Sequence, residues 1–120
     1  MGNPICFFEI PADDLPALRK FYEALFGWAF TRFPGPMEYF KINTGQAELE
    51  GGMMARQHPH HVPTNYVMVE GMDEFLEKAE ALGAKVLVPK SPVEGEGWFA
   101  MLMDPQNNPF GLWEADSSAP

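Results

Sequence analysis

The chain has 120 residues, of which 46% are hydrophobic and 21% are charged, which is typical of one folded domain and excludes a multidomain or disordered protein. Its 17 acidic side chains outnumber its 8 basic side chains and give a formal net charge of -9. Because so acidic a surface repels polyanions, nucleic acids and anionic membranes are excluded as partners.

The first half of the chain predicts a strand, a helix and three more strands. The helix is the most regular element: its apolar side chains recur at helical spacing, with Asp13 or Asp14 as the N-cap and Gly27 at the C-terminal end. Turn residues such as Pro, Gly and Asn separate the later strands. The predicted strands are residues 5–10, 28–33, 37–42 and 47–56.

A polar segment at residues 57–63 contains two prolines and the three histidines of the chain, His58, His60 and His61. Short histidine-rich tracts can bind transition metals. No cysteine accompanies these histidines, and the prolines disfavour a helix or a central strand, so we interpret the segment as a solvated linker. The role of the three histidines stays open.

The second half repeats the order of the first. It predicts a helix from Met72 to Leu82 that Gly83 ends, and a frayed tail at residues 116–120. Because both halves have the order β-α-β-β-β, the sequence suggests a duplicated module. The predicted strands are residues 64–69, 85–88, 98–103 and 109–115.

The chain lacks the features of an exported or membrane-spanning protein. No apolar run approaches the roughly 18 residues that a membrane span needs, and no basic segment precedes the short apolar stretch at the start. Cys6 is the single cysteine, so no intrachain disulfide can form. We therefore expect a soluble, cytoplasmic protein.

Several short segments, in this order and spacing, resemble the vicinal oxygen chelate superfamily, which includes glyoxalase I, extradiol dioxygenases and bleomycin resistance proteins. They are FEIPADD at 8–14, FGW at 26–28, GGMM at 51–54, ALGA at 81–84 and DPQNNPFGLWE at 104–114. Asn107 stands where relatives usually have Gly, and Asn tolerates the positive φ that such a turn can require.

The resemblance implies an α+β fold in which one domain, residues 1–120, contains two βαβββ modules with helices on the outer faces. Their curved sheets enclose a cleft. The modules would be residues 5–56 and 64–115, joined by the linker at 57–63. Relatives commonly form homodimers, so the resemblance also implies a homodimer.

The same resemblance implies a place for a metal. Relatives hold a divalent ion with His and Glu side chains at four strand positions, which here fall on Phe7, residues 51–53, Thr64 or a neighbour, and Gly111. None of these residues is a usual ligand of a hard divalent ion. We therefore expect no metal at this place and no other cofactor.

Side-chain alternation along the strands identifies candidates for a ligand-binding surface. In the first strand, Phe7 and Glu9 point to one face while Phe8 and Ile10 point to the other. Aromatic side chains would stack on a planar or cationic guest, and Glu9 is either a structural, hydrogen-bonded carboxylate or a general base or cation partner. The candidate ligand-binding residues are Phe7, Glu9, Met53, Thr64, Tyr66, Trp98, Gly111 and Trp113.

These observations lead to a hypothesis and two alternatives. The hypothesis is a protein that binds a small, partly aromatic or apolar molecule without a metal, as bleomycin resistance proteins sequester a ligand. The alternatives are a metal-dependent or Glu9-assisted lyase or isomerase of the same superfamily, and an interaction module without a small ligand. The sequence leaves open the identity of the ligand, whether a reaction is catalysed, and whether the modules pair within one chain or across a dimer.

Overall fold

The computed structural model describes residues 2–120, which form two compact units. We call residues 6–64 the first module, and residues 65–120 together with residues 2–5 the second module. The predicted α+β class and the β-α-β-β-β order of each half are confirmed. The elements are β1 (Ile5–Ala12), α1 (Leu15–Phe26), β2 (Ala29–Arg32), β3 (Tyr39–Asn43), β4 (Glu50–Ala55), β5 (Thr64–Met68), α2 (Met72–Ala81), β6 (Lys85–Val93), β7 (Gly97–Met103) and β8 (Pro109–Ala115).

In the first module the strands lie in the order β2-β3-β4-β1. Strands β1 and β4 are parallel, whereas the β2–β3 and β3–β4 pairs are antiparallel. Helix α1 packs on one face, where Leu15 joins Ala12, Ile42 and Met53 in the buried core. The opposite face of this sheet is not covered by the module's own helix.

Local chemistry fixes both ends of α1 as the sequence predicts. The Asp14 carboxylate accepts a hydrogen bond from the Ala17 backbone N–H at 3.1 Å, which satisfies one of the unpaired donors of the first turn. At the other end Gly27 has a φ of 72°, and its N–H donates to the Glu23 carbonyl. These caps set where the helix starts and stops along the sheet.

The second module has the same plan. Its strands lie in the order β5-β8-β7-β6, with β5 and β8 parallel and the β8–β7 and β7–β6 pairs antiparallel. Helix α2 covers one face, and the core comprises Val69, Met72, Ala100, Leu102 and Leu112. Neither helix of the described residues is long and apolar enough to cross a membrane.

Two predicted boundaries in the second module are wrong. Strand β6 continues to Val93 although it contains Pro89 and Pro92, which is possible because β6 is the outer strand of its module and its pairing with β7 shifts register. The tail at 116–120 is not frayed: Ala119 is buried, and its carbonyl accepts a hydrogen bond from the Gly95 N–H.

Candidate functional site

The uncovered face of the first module carries a carboxylate paired with a phenol. Since Phe8 and Ile10 pack in the core with α1, alternation along β1 places Phe7 and Glu9 on the opposite face, as predicted. There the Tyr39 hydroxyl donates a hydrogen bond to Glu9 Oε2 at 2.6 Å. Both side chains are partly buried.

A glycine in the neighbouring strand makes this pair possible. Gly52 lies opposite Glu9 in β4 and opposite Lys41 in β3. A Cβ atom at Gly52 would lie 1.8 Å from the Tyr39 hydroxyl oxygen, so only a residue without a side chain lets the tyrosine lie against the sheet. We call this surface the first open face; its residues are Phe7, Glu9, Phe33, Tyr39, Lys41 and Gly52.

The uncovered face of the second module is aromatic and rich in sulfur. Alternation places its residues opposite the core positions Val67, Ala100 and Leu112. Glycines again accommodate rings: a Cβ at Gly111 would lie 2.3 Å from the Tyr66 ring. We call this surface the second open face; its residues are Tyr66, Met68, Phe99, Met101, Gly111 and Trp113.

Two sequence-predicted candidates lie on the helix-covered faces instead. Met53 is fully buried in the core of the first module. Trp98 precedes the core residues Ala100 and Leu102 by even steps along β7, so it shares their face. Its indole N–H donates to Asp116 at 3.0 Å, and the Ser118 hydroxyl and this indole together lower the pKa of Asp116 to about 2. Met53 and Trp98 are therefore not part of the candidate binding surface.

Thr64 and Glu114 have structural partners. The Thr64 side chain is buried, and its hydroxyl donates to the Val62 carbonyl at 2.9 Å. Glu114 alternates with Trp113 along β8, and its carboxylate accepts from the N–H groups of Gly71 and Met72 at the start of α2. Sequence reasoning could not find this cap, because the donor and acceptor lie 43 residues apart.

The histidine-containing linker folds back on the first module. Arg56 forms an ion pair with Asp13 at 2.8 Å and donates to the His61 carbonyl. His61 Nδ1 accepts from the Gln57 N–H at 3.0 Å, and burial, with smaller contributions from His58 and Arg56, lowers the pKa of His61. Because His61 Nδ1 already accepts this hydrogen bond, the linker is better described as a folded connection than as a group of metal ligands.

Two shallow depressions mark the surface of the first module. One, of about 540 Å³, lies at the β3–β4 turn, and the other, of about 420 Å³, lies at the start of α1 beside the ion pair of Asp13 and Arg56. Neither is lined by Glu9 or Tyr39. We assign no function to them.

The residues at the expected metal-binding positions do not fit a divalent ion. Tyrosines cover two of the positions, Gly52 and Gly111, and fill the space into which a ligand side chain would project. Phe7 supplies no donor atom, and within residues 2–120 no three His, Cys, Asp or Glu side chains converge on a common point. We therefore assign no chemistry to a metal at these positions.

Comparisons with known proteins agree with this fold. Residues 6–113 match the model of the glyoxalase-like domain family. A Mycobacterium bovis protein named as a glyoxylase, CFP32, is 27% identical over 90% of this chain and 44% of its own length. The anthracycline biosynthesis protein DnrV of Streptomyces peucetius is 26% identical over 93% of this chain and 46% of its own length. The chain thus spans less than half the length of these relatives.

A solved structure shares the fold at low identity. It is a glyoxalase/bleomycin resistance protein/dioxygenase superfamily member from Vibrio splendidus, with a TM-score of 0.71 and 8% identity over 96% of this chain and 100% of that one. At this identity the similarity concerns the fold alone.

Proposed function

Because the chain belongs to the glyoxalase-like domain family of the vicinal oxygen chelate superfamily, we propose that it binds a small, partly aromatic molecule without the metal that the superfamily commonly uses. The observation that carries this proposal is the composition of the second open face. In a sheet with one solvated face, polar side chains alternate with the apolar ones of the core, but here Tyr66, Phe99 and Trp113 occupy these alternate positions. Tyr66 is buried, and Phe99 and Trp113 are partly buried.

The chemistry of this face suits a planar guest. Aromatic rings prefer offset or edge-to-face contacts with other rings, and thioethers such as Met68 and Met101 adapt their shape to irregular partners. Met68 is 40% exposed. The name of the Streptomyces peucetius relative, an anthracycline biosynthesis protein, supports a role in small-molecule metabolism.

Titration calorimetry with a panel of planar aromatic compounds headed by acridine tests the proposal. We expect binding to the wild-type protein and a roughly tenfold loss of affinity on Trp113→Ala, the scale of one lost stacking contact. Trp98→Phe is the matched control, because that tryptophan lies on the helix-covered face of the same sheet. No binding by any panel compound, or equal losses in both variants, would contradict the proposal.

An enzyme of the same superfamily is the second candidate, and the hydrogen bond between Glu9 and Tyr39 favours it. A carboxylate held by a phenol could serve as a general base. The glyoxylase name of the Mycobacterium bovis relative is in keeping with this candidate. If the protein turns over an aldehyde or thioester substrate and Glu9→Gln abolishes this turnover, the enzyme candidate replaces the proposal of simple binding. The homodimer implied by the resemblance stays a prediction that sedimentation would test.

A further inference from the structure

We propose that Met68 makes guest binding at the second open face sensitive to oxidation: hydrogen peroxide converts its thioether to a sulfoxide, which lowers the affinity of this face for an aromatic molecule. The inference rests on the proposed function for its effect on binding. The oxidation itself needs no guest and can be measured separately.

Exposure distinguishes Met68 from the other methionines of the second module. Within residues 2–120, Met37 and Met68 are exposed, at 46% and 40%. Because peroxide has to reach the sulfur atom, we expect these two side chains to react before the rest. The remaining methionines of that range are buried or partly buried: Met53, Met54, Met72, Met101 and Met103.

Met68, unlike Met37, belongs to the proposed guest surface. Met68 lies opposite Trp113 in the β5–β8 pair, and Trp113 lies opposite Phe99 in the β8–β7 pair. Neighbouring strands are about 4.8 Å apart, so these three side chains form one row on the same face. A molecule that stacks on Trp113 therefore contacts the Met68 side chain. Met37 lies between β2 and β3 in the first module, where its sulfur accepts from the Gln57 amide at 3.8 Å.

Oxidation changes the chemistry of this row. The thioether sulfur attacks one oxygen of hydrogen peroxide, an S–O bond forms as the O–O bond breaks, and the other oxygen leaves as water. The sulfur loses the two electrons that the peroxide gains. The product is a polar side chain that disrupts methionine-containing interfaces. Covering the sulfoxide with an apolar guest removes its oxygen from water, and the favourable contact between sulfur and ring is lost.

The backbone of Met68 is anchored independently of its side chain. Its N–H donates to the Pro4 carbonyl at 2.9 Å, and its carbonyl accepts from the Asn3 side-chain amide at 3.1 Å. The side chain itself is exposed and lies on the face opposite the core. We therefore expect the sulfoxide to change the surface without unfolding the module.

Titration calorimetry with acridine, before and after treatment with hydrogen peroxide, measures the effect on binding. We expect the treated wild-type protein to bind acridine about fivefold to tenfold more weakly. Methionine sulfoxide reductases acting on both sulfoxide epimers should restore the affinity. Met68→Leu should have the same affinity before and after treatment. Met37→Leu, the matched control, lacks the other exposed sulfur and should still show the full decrease.

Peptide mass spectrometry of the same samples locates the added oxygen. We expect it on Met68 and Met37 before any buried methionine. Saturating acridine should slow the oxidation of Met68 severalfold, because the guest covers its sulfur, and should leave the oxidation of Met37 unchanged. This comparison uses the wild-type protein alone.

Two results would overturn the inference: a decrease in affinity that persists in Met68→Leu, and oxidation of Met68 that acridine does not slow. If Met68→Leu fails to fold, Met68→Gln decides, since its polar side chain should reproduce the weaker binding without peroxide. Absence of acridine binding before treatment would refute the proposed function and this inference together. Binding that peroxide leaves unchanged would refute this inference alone.

Discussion

At the scale of single residues, two glycines determine what the uncovered sheet faces can present. Gly52 lies beneath Tyr39 and Gly111 lies beneath Tyr66, each in the strand next to its tyrosine. A methyl group at either position would occupy space that a ring fills. The glycines therefore allow the tyrosine rings to lie close to the backbone. At position 52 this close contact lets the Tyr39 hydroxyl reach Glu9.

Gly52→Ala should lower the free energy of unfolding by about 1–3 kcal/mol, because the new Cβ displaces the Tyr39 ring from the sheet. In a Tyr39→Ala background the same substitution should cost much less, since the obstructing ring is gone. Urea denaturation of the four proteins of this double-mutant cycle measures the difference. An equal cost in both backgrounds would show that Gly52 is needed for another reason.

At the scale of elements, the two helices begin differently although their modules share one plan. Helix α1 has a local N-cap, Asp14, whereas the N-cap residue of α2 is Gly71, which has no side chain. The Glu114 carboxylate of β8 takes over this task with two hydrogen bonds of 2.9 and 3.0 Å. Its negative charge also interacts favourably with the positive end of the helix dipole. Strand β8 thus holds α2 in place over the sheet.

Glu114→Ala should lower the free energy of unfolding by about 1 kcal/mol, the usual contribution of an N-cap. Because the cap is charged, part of this difference should disappear in high salt. Thermal denaturation at two salt concentrations is the measurement, and Glu94→Ala, at an exposed position of the same module, is the control. A Glu114→Ala protein as stable as the control would contradict the capping role.

The sequence allowed much of this element structure to be predicted, because the signals are local. Helical periodicity and the caps Asp14 and Gly27 located α1, and strand alternation placed Glu9 on the uncovered face. Asn107, for which a positive φ was anticipated, adopts a φ of 66°. One error involves a partner distant in sequence: the Gly95 N–H donates to the Ala119 carbonyl and orders the tail. The other involves local pairing, because β6 continues beyond Pro89 in a hairpin with β7 in which Val93 lies opposite Gly97.

For the candidate site, the alternation of side chains along a strand was informative only where it was known which of the two faces packs in the core. Trp98 and Met53 were placed on the wrong face because a hydrophobic side chain suits a core as well as a binding surface. The Tyr39 hydroxyl was missed because its partner lies 30 residues away in sequence. No pattern in a single sequence marks such a pair.

At the scale of the whole molecule, the chain has the two βαβββ modules of its superfamily, and the residues at the positions where the resemblance implies a metal do not fit a divalent ion. Tyrosine rings cover two of these positions, Gly52 and Gly111, and Phe7 at a third supplies no donor atom. The face of the second module opposite α2 carries the aromatic rings on which the proposed stacking depends.

We therefore propose that this protein holds a guest by shape and stacking rather than by metal coordination. The most direct measurement is calorimetric titration of the aromatic panel into protein treated with EDTA, repeated after dialysis against zinc, nickel or manganese. We expect at least one panel compound to bind the chelator-treated protein, with an affinity that the metals leave unchanged. Binding that appears only when one divalent ion per chain has been restored would contradict it.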